Sequence, residues 1–451
     1  MKLSTIQASL AQIGMKPTRS LGQNFLHDQN LAEWIVAQLE LQPNEAWVEL
    51  GPGLGALTEF ALRRSSNGLV IEKDGRLAGF LQERFPELEI VHGDATEFEV
   101  RDLFARGPVK VVGNLPYYIS SQILFGYTAE PSPVSRLIFT LQKELAERLS
   151  AEPRTKEYGA LTLLVGRRWR VKYLRTLPGS VFMPAPNVES AIVALTPREP
   201  GEVPECDGVR FTSLVKQGFS QRRKQLRKML ASYALDWRAL CTDLGVAETV
   251  RGEELSLAQW IALTNFVTGA PREANAANAQ DVYGEIFDVV DEQDAVKGQL
   301  SRFEVHRQKL LHRAVHIFVF NSRGELFLQR RSKWKDKHPL RWDSSAAGHV
   351  NAGQTYDTTA PREIEEELGV AAEVEPLAIL PAGAETGWEH VHLYRAEHDG
   401  PFKLNAAELD GGGFFTLEQI DRWTGARPED FASGFLACYR FFREAPAAED
   451  R

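Results

Sequence analysis

Residues 47–50, 68–71, 89–91, 109–112 and 136–139 are short runs dominated by aliphatic and β-branched side chains. Runs of this length and composition read as strands. Between them, residues 57–64 and 74–85 repeat apolar positions three and four apart and read as helices. Strand and helix in alternation predict an α/β domain with a parallel sheet. From about residue 204 to residue 267 the pattern becomes wholly helical, which predicts a small appended subdomain. The stretch 269–280 has no large apolar residue and reads as an exposed linker. Beyond it, residues 316–320 and 325–329 flank Asn321-Ser-Arg-Gly324, a hairpin signal. Residues 358–368 then predict a helix. The expected organisation is therefore a domain over 1–203, a helical subdomain over 204–268, a linker over 269–280 and a second domain over 281–451.

Charge sharpens that division. The chain has 451 residues, more than one ordinary domain, and a net charge of -9. Residues 1–270 hold 31 basic and 30 acidic side chains, a net of +1, whereas residues 271–451 hold 21 and 31, a net of -10. Two halves so different predict different partners. Three isolated cysteines, Cys206, Cys241 and Cys438, point to neither a disulfide framework nor a zinc site. No apolar run nears the ~18 residues of a membrane span. The first residues lack a signal-peptide core. A cytoplasmic protein with no membrane partner is expected.

The first candidate chemistry follows the first strand. Glu49-Leu-Gly51-Pro-Gly53-Leu-Gly55 is a loop whose glycines let the backbone turn tightly against a ligand. Glu72 ends the next strand, where an acid accepts from ribose hydroxyls. Asp94, after the third strand, is a candidate acceptor for an adenine amine. Two strand-end acids suit an adenosyl ligand without phosphates. Asn114-Leu115-Pro116-Tyr117 follows the fourth strand, at the carboxyl edge of the sheet. The Asn114 amide oxygen and the carbonyl of Leu115 or Pro116 can accept the two N–H groups of an exocyclic amine, and Tyr117 can stack on its ring. A base reaching such a pocket must leave its stack.

Several motifs then occur in the order of one family: Gly22-Gln23-Asn24-Phe25-Leu26, the 49–55 loop, Gly113-Asn114-Leu115-Pro116-Tyr117-Tyr118, Gln142-Lys143-Glu144, Phe182-Met-Pro184-Ala-Pro186 and Arg251-Gly-Glu-Glu-Leu-Ser256. Over about residues 10–267 the chain resembles the small-subunit ribosomal RNA adenine dimethyltransferases. The resemblance implies a Rossmann-like S-adenosylmethionine-dependent methyltransferase with a small helical subdomain. It implies that Gln23, Asn24, Leu26, Gly51, Gly53, Glu72, Asp94 and Asn114 contact S-adenosylmethionine, and that Tyr117 and Phe182 sandwich the target adenine. It also implies N6,N6-dimethylation of two adjacent adenosines in a hairpin near the 3′ end of small-subunit rRNA, on a 30S precursor. Asn187 and Gly252 depart from the family's usual residues. Basic clusters at 154–175 and 216–228 are candidate phosphate contacts.

In the second half, Gly348, Gln354, Arg362, Glu363, Ile364, Glu366, Glu367, Gly369 and Val370 fall at the spacing of the Nudix box. On a helix Glu363, Glu366 and Glu367 share one face, a site for Mg²⁺ or Mn²⁺. The resemblance implies an α/β/α Nudix domain that hydrolyses a nucleoside or other diphosphate, with Glu363 catalytic. Gln354 replaces the first acid of the box, which predicts weakened metal binding. Glu389 is a candidate extra ligand. Residues 311–316, 329–331 and 342–349 resemble the branch near isopentenyl-diphosphate isomerase. That isomerase uses a cysteine before its Gly/Ser-His, and Ser345-Ala346-Ala347-Gly348-His349 offers none, so hydrolysis is expected. His312 and His349 match that branch's metal histidines and are assigned a structural role. The alternatives are a Nudix half that binds nucleotide or RNA without hydrolysis, and a chain acting mainly as a ribosome-assembly factor.

Overall fold

The structure, a computed structural model, describes residues 2–17, 23–199, 201–269, 285–335, 337–405 and 408–444. Residues 270–280 of the expected linker and Gly22 lie outside the described residues. The chain divides into two compact units, residues 1–272 and 273–451.

Among its described residues the first unit holds nine strands: β1 (Phe25–Leu26), β2 (Ala46–Leu50), β3 (Gly68–Glu72), β4 (Glu89–His92), β5 (Val109–Asn114), β6 (Val134–Gln142), β7 (Trp169–Leu177), β8 (Phe182–Met183) and β9 (Ser190–Pro197). Seven form one sheet in the order β4-β3-β2-β5-β6-β9-β7. The first five of these are parallel, and β9 and β7 join antiparallel. This is the Rossmann-like arrangement of the family, with two strands that residue pattern alone did not mark. Trp47, Val70 and Val112 point into one apolar layer, and Val48, Leu50, Leu69 and Val111 into the other. Burial on both faces explains why these strands read as unbroken apolar runs. The remaining strands, β1 and β8, form a two-residue antiparallel ladder, Phe25 opposite Met183 and Leu26 opposite Phe182. Helices Gly208–Gly218, Trp237–Leu244 and Leu257–Thr268 pack around Trp260, Phe211 and Leu240.

The second unit has β10 (Ile286–Val290) paired with β11 (Val296–Ser301), then β12 (His312–Phe320), β13 (Leu326–Arg331), β14 (Trp342–Asp343), β15 (Ala346–His349), β16 (Val374–Leu380), β17 (Glu389–Glu397) and β18 (Leu409–Phe415). The hairpin expected around Asn321 is present, with Phe320 opposite Leu326. β12 and β17 run parallel through the middle of a mixed sheet. Val315, Ile317 and Val319 face helix Tyr356–Leu368 through Ala360, Ile364 and Leu368. Phe318, on the opposite face, packs against Phe435 and Phe442 of helix Ser433–Glu444. Helix, sheet and helix make three layers. Thr355 caps the start of the Tyr356–Leu368 helix and left-handed Gly369 ends it.

Candidate functional site

In the first unit the carboxyl ends of β2, β3 and β5 open into one cavity. Gln23, Asn24, Leu26, Gly51, Gly53, Glu72, Asp94, Asn114, Leu115 and Pro116 all line it, with Glu49, Lys73 and Tyr118. Gly53 sits at φ +60°, and a Cβ there would lie 3.1 Å from the Phe25 ring. The loop therefore needs glycine for both its backbone and its contact with the β1 segment.

Each acid of the cavity has a distinct setting. Glu72 accepts from the Gly53 N–H at 3.0 Å and the Asp74 N–H at 2.9 Å, so it braces the glycine loop. Burial pushes its carboxyl up. Glu49 is fully buried, takes a 2.6 Å hydrogen bond from Thr58 Oγ1, and is pushed up by burial to about 8. Asp94 is the opposite case. Burial would raise it, but Lys73 Nζ at 2.5 Å and the Thr96 N–H and hydroxyl outweigh that and hold it low.

Asn114 Nδ2 donates to the Asn24 carbonyl at 2.8 Å, which turns its amide oxygen the other way. Of the two carbonyls expected to face an amine, that of Pro116 accepts from Ser120 Oγ and the Ile119 N–H, so the Leu115 carbonyl is the better candidate. Tyr117 Oη lies 2.5 Å from Ser190 Oγ, which pins the ring to β9. Tyr117 does not line the cavity; Tyr118 does, at 61% exposure. Phe182, expected with Tyr117 on either side of the base, does not line the cavity either. Phe182 is 4% exposed and packs in the core, because β8 is held against β1.

The basic clusters are less free than their sequence implied. Acids from elsewhere reach the 154–175 stretch: Arg167 and Arg168 pair with Glu130, and Arg170 with Glu202. In the 216–228 stretch, Lys216, Arg223, Lys224 and Lys228 are exposed and make no ion pair among the described residues.

A cavity of the second unit is lined by Glu363 and Glu366 of the box and by a second set of ligand atoms; Glu367 is buried and is not in its lining. Glu363 and Glu367 are buried on the inner face of the Tyr356–Leu368 helix. Glu363 lies against Gly348, where a Cβ would come within 2.2 Å of the carboxylate. Arg362 donates to Glu363 Oε1 at 2.7 Å and to Glu366 Oε2 at 2.8 Å. Glu367 Oε2 accepts from Gln329 Nε2 and the Ala347 N–H, both at 3.1 Å. Its Oε1 is buried with no hydrogen-bond partner. Burial pushes the Glu363 carboxyl up to about 7 and raises Glu367 as well. Buried acids with an unfilled lone pair, beside a glycine cradle, fit a divalent ion. Gln354 is exposed and does not line the cavity, so its missing charge is not at these carboxylates.

Opposite them, His306, His312, His349 and Glu389 offer ligand atoms all within 4.8 Å of one another. His312 and His349, assigned a structural role on sequence, thus share one candidate ligand set with His306. Glu389 joins this set rather than the helix carboxylates. His312 Nδ1 lies 2.9 Å from the Leu310 carbonyl, which fixes the ring with Nε2 toward His306 and Glu389. Burial lowers His306 to about 3 and His349 to about 4, so both are neutral and ligand-ready. Burial alone would raise Glu389, but hydrogen bonds from His312 and His349 hold it well below the usual range.

The family model Ribosomal RNA adenine dimethylase matches residues 14–268. Ribosomal RNA small subunit methyltransferase A of Alcanivorax borkumensis is 39% identical over 266 residues, spanning 58% of this chain and 93% of that one. The protein of the same description from Myxococcus xanthus is 40% identical over 224 residues, spanning 49% of this chain and 79% of that one. The chain belongs to the ribosomal RNA adenine dimethylase family. Among solved structures, the 23S rRNA methyltransferase ErmE is 26% identical, with 54% of this chain and 100% of that chain covered at a TM-score of 0.46. The NUDIX domain model matches residues 310–432, so this dimethylase carries a Nudix domain in its second unit. Sequence reasoning passed over Ser190, which fixes Tyr117, and His306, which completes the histidine set. It also passed over Lys335 and Glu408, which line the Nudix cavity. No described helix is long and apolar enough to cross a membrane.

Proposed function

We propose that the first unit transfers two methyl groups to N6 of each of two adjacent adenosines in a hairpin near the 3′ end of small-subunit rRNA. The observation that carries this is Asn114, whose amide is oriented by the Asn24 carbonyl at the rim of the cavity. S-adenosylmethionine, held by Glu72, the glycine loop and the Gln23–Leu26 segment, supplies an electrophilic methyl. Asn114 Oδ1 and the Leu115 carbonyl accept the two N–H groups of the amine, drawing its lone pair out of conjugation and toward the cavity. Each transfer would break the S–CH₃ bond of the bound cofactor, leave its sulfur as a neutral thioether and release one N–H proton to water; after the first a single N–H remains, and either acceptor can hold it for the second. Tyr117, pinned by Ser190 outside the cofactor cavity, stacks on the incoming base. Residues 1–203 serve as the catalytic domain, and the exposed cations of 204–268 contact RNA phosphates. The test is labelled methyl transfer to unmethylated small subunits by the full chain. N6,N6-Dimethyladenosine at two neighbouring positions is expected; modification confined to large subunits would end this reading.

The second unit, in the same proposal, hydrolyses a diphosphate. Its carrying observation is the inner-face pair Glu363 and Glu367 with the open Glu367 Oε1. A divalent ion supplies charge neutralisation and an activated water. Glu363, Glu366 and Glu367 hold it, and Arg331, Lys337 and Arg302, which line the same cavity, face the phosphates. His306, His312, His349 and Glu389 suit a second, nitrogen-preferring ion. A panel of diphosphates with Mg²⁺ and Mn²⁺ tests this: phosphate release lost in Glu366→Gln supports it, and no turnover of any member favours a binding module.

A further inference from the structure

Lys335 is one of the few lysines of this chain withdrawn from water; its side chain is 5% exposed. Its ammonium lies 2.5 Å from Glu408 Oε2 and 3.7 Å from Glu367 Oε1. The first contact is a charge-assisted hydrogen bond; the second is too long for one. Glu367 Oε1 is the buried oxygen with no hydrogen-bond partner. The ammonium faces that oxygen without occupying its lone pairs, and its charge opposes the burial that pushes the carboxyl up. The other helix carboxylates, Glu363 and Glu366, are matched by Arg362. Every acid of the set already faces a cation of the chain.

We propose that Lys335 is a built-in counter-ion of the Nudix carboxylates, and that a divalent cation at Glu367 must displace it. The inference rests on the reading of those carboxylates as an ion site. An ion bonded to an oxygen sits about 2.0–2.6 Å from it. A cation on Glu367 Oε1 would therefore stand within a few ångströms of the ammonium, where like charges repel strongly in a low-dielectric pocket. Glu408 gives the ammonium a place to be held when it yields Glu367. Lys335 thus keeps the ion-free site from being an uncompensated pocket of buried negative charge, and it lowers affinity for the ion that replaces it.

The experiment titrates metal-free full-length protein with Mn²⁺, read by isothermal calorimetry and by the free-Mn²⁺ resonance signal. Lys335→Met and Lys335→Gln are each expected to tighten binding by about tenfold or more, the scale of one removed like charge at this range. Both are also expected to lower the melting temperature without metal and to show a larger rise on adding it. The gain should vanish in a Glu367→Gln background, which separates this site from the histidine set. In wild-type protein, acetylation of Lys335 followed by mass spectrometry should rise as Mn²⁺ saturates the site, a readout that survives if either variant fails to fold. Unchanged or weaker Mn²⁺ binding in folded variants, or Lys335 labelling indifferent to Mn²⁺, overturns the proposal. Tightened binding without hydrolysis of any diphosphate would leave this inference standing and remove the hydrolase reading, so the two failures are distinct.

Discussion

The two cavities both rest on buried acids, yet they treat the charge in opposite ways. In the first unit Glu72 and Glu49 are satisfied by neutral donors: the Gly53 and Asp74 N–H groups and the Thr58 hydroxyl. In the second, Glu363, Glu366, Glu367 and Glu408 face Arg362 and Lys335. Neutral donors suit a ligand that will be read by hydrogen bonds; paired cations suit a site whose ligand brings positive charge of its own. The lesson is that buried carboxylates announce a ligand site, and their partners say what kind.

If that contrast is right, single substitutions should silence one cavity and spare the other. The largest effect is expected from Asn114→Ala, which removes an acceptor aimed at the amine. Methyl transfer to unmethylated small subunits should fall by about 10²–10³-fold, as for other single preorganised groups, while diphosphate hydrolysis by the same preparation is unchanged. Glu367→Gln should do the reverse, cutting phosphate release by about 10²-fold or more through loss of an ion ligand. Gly348→Ala sharpens the same point structurally. Its Cβ would collide with the Glu363 carboxylate, and overpacking of this kind costs about 1–3 kcal/mol, read as a lower melting temperature with weakened Mn²⁺ binding.

A smaller effect separates the acids by pH. Glu49 is held up at about 8 by burial, above its unfolded value. The folded state thus keeps a proton that the unfolded state has lost, so stability should fall as pH rises from about 5 to 8. Glu49→Gln should flatten that slope in denaturant titrations; an unaltered slope would place the titrating group elsewhere. The smallest change is expected from Gln354→Glu. Because Gln354 is exposed and away from the carboxylates, restoring the acid should alter hydrolysis by less than about twofold, as surface changes usually do.

The legible parts of this molecule were those written locally. Strands β2, β3, β5 and β6 carry their burial in consecutive residues, and the glycine loop, Asn114 and the Nudix helix each sit within a few positions of their own signals. What escaped depends on chain returning from far away. Ser190 reaches Tyr117 across 73 positions, and Glu408 reaches Lys335 across another 73. His312 stands beside Glu389 because β12 and β17 run side by side, and His306 joins them from the helix Arg302–Gln308. Phe182 was expected beside a base on resemblance, but its pairing with Leu26 buries it. The stretch 154–175 looked basic because the acids that neutralise its arginines are not its neighbours in sequence. Strands β7 and β9 alternate or blend into loops and gave no clear run of their own.

The ladder between β1 and β8 has a consequence for the order of events on the ribosome that makes this chain. The Gln23–Leu26 segment leaves the exit tunnel about 155 residues before its strand partner, Phe182–Met183, which emerges only after most of the domain has been translated. Until then one wall of the methyl-donor pocket has nothing to hold it, although the parallel strands behind it can already have begun to pair. The nascent chain is thus kept from completing its cavity until nearly the whole seven-stranded sheet exists.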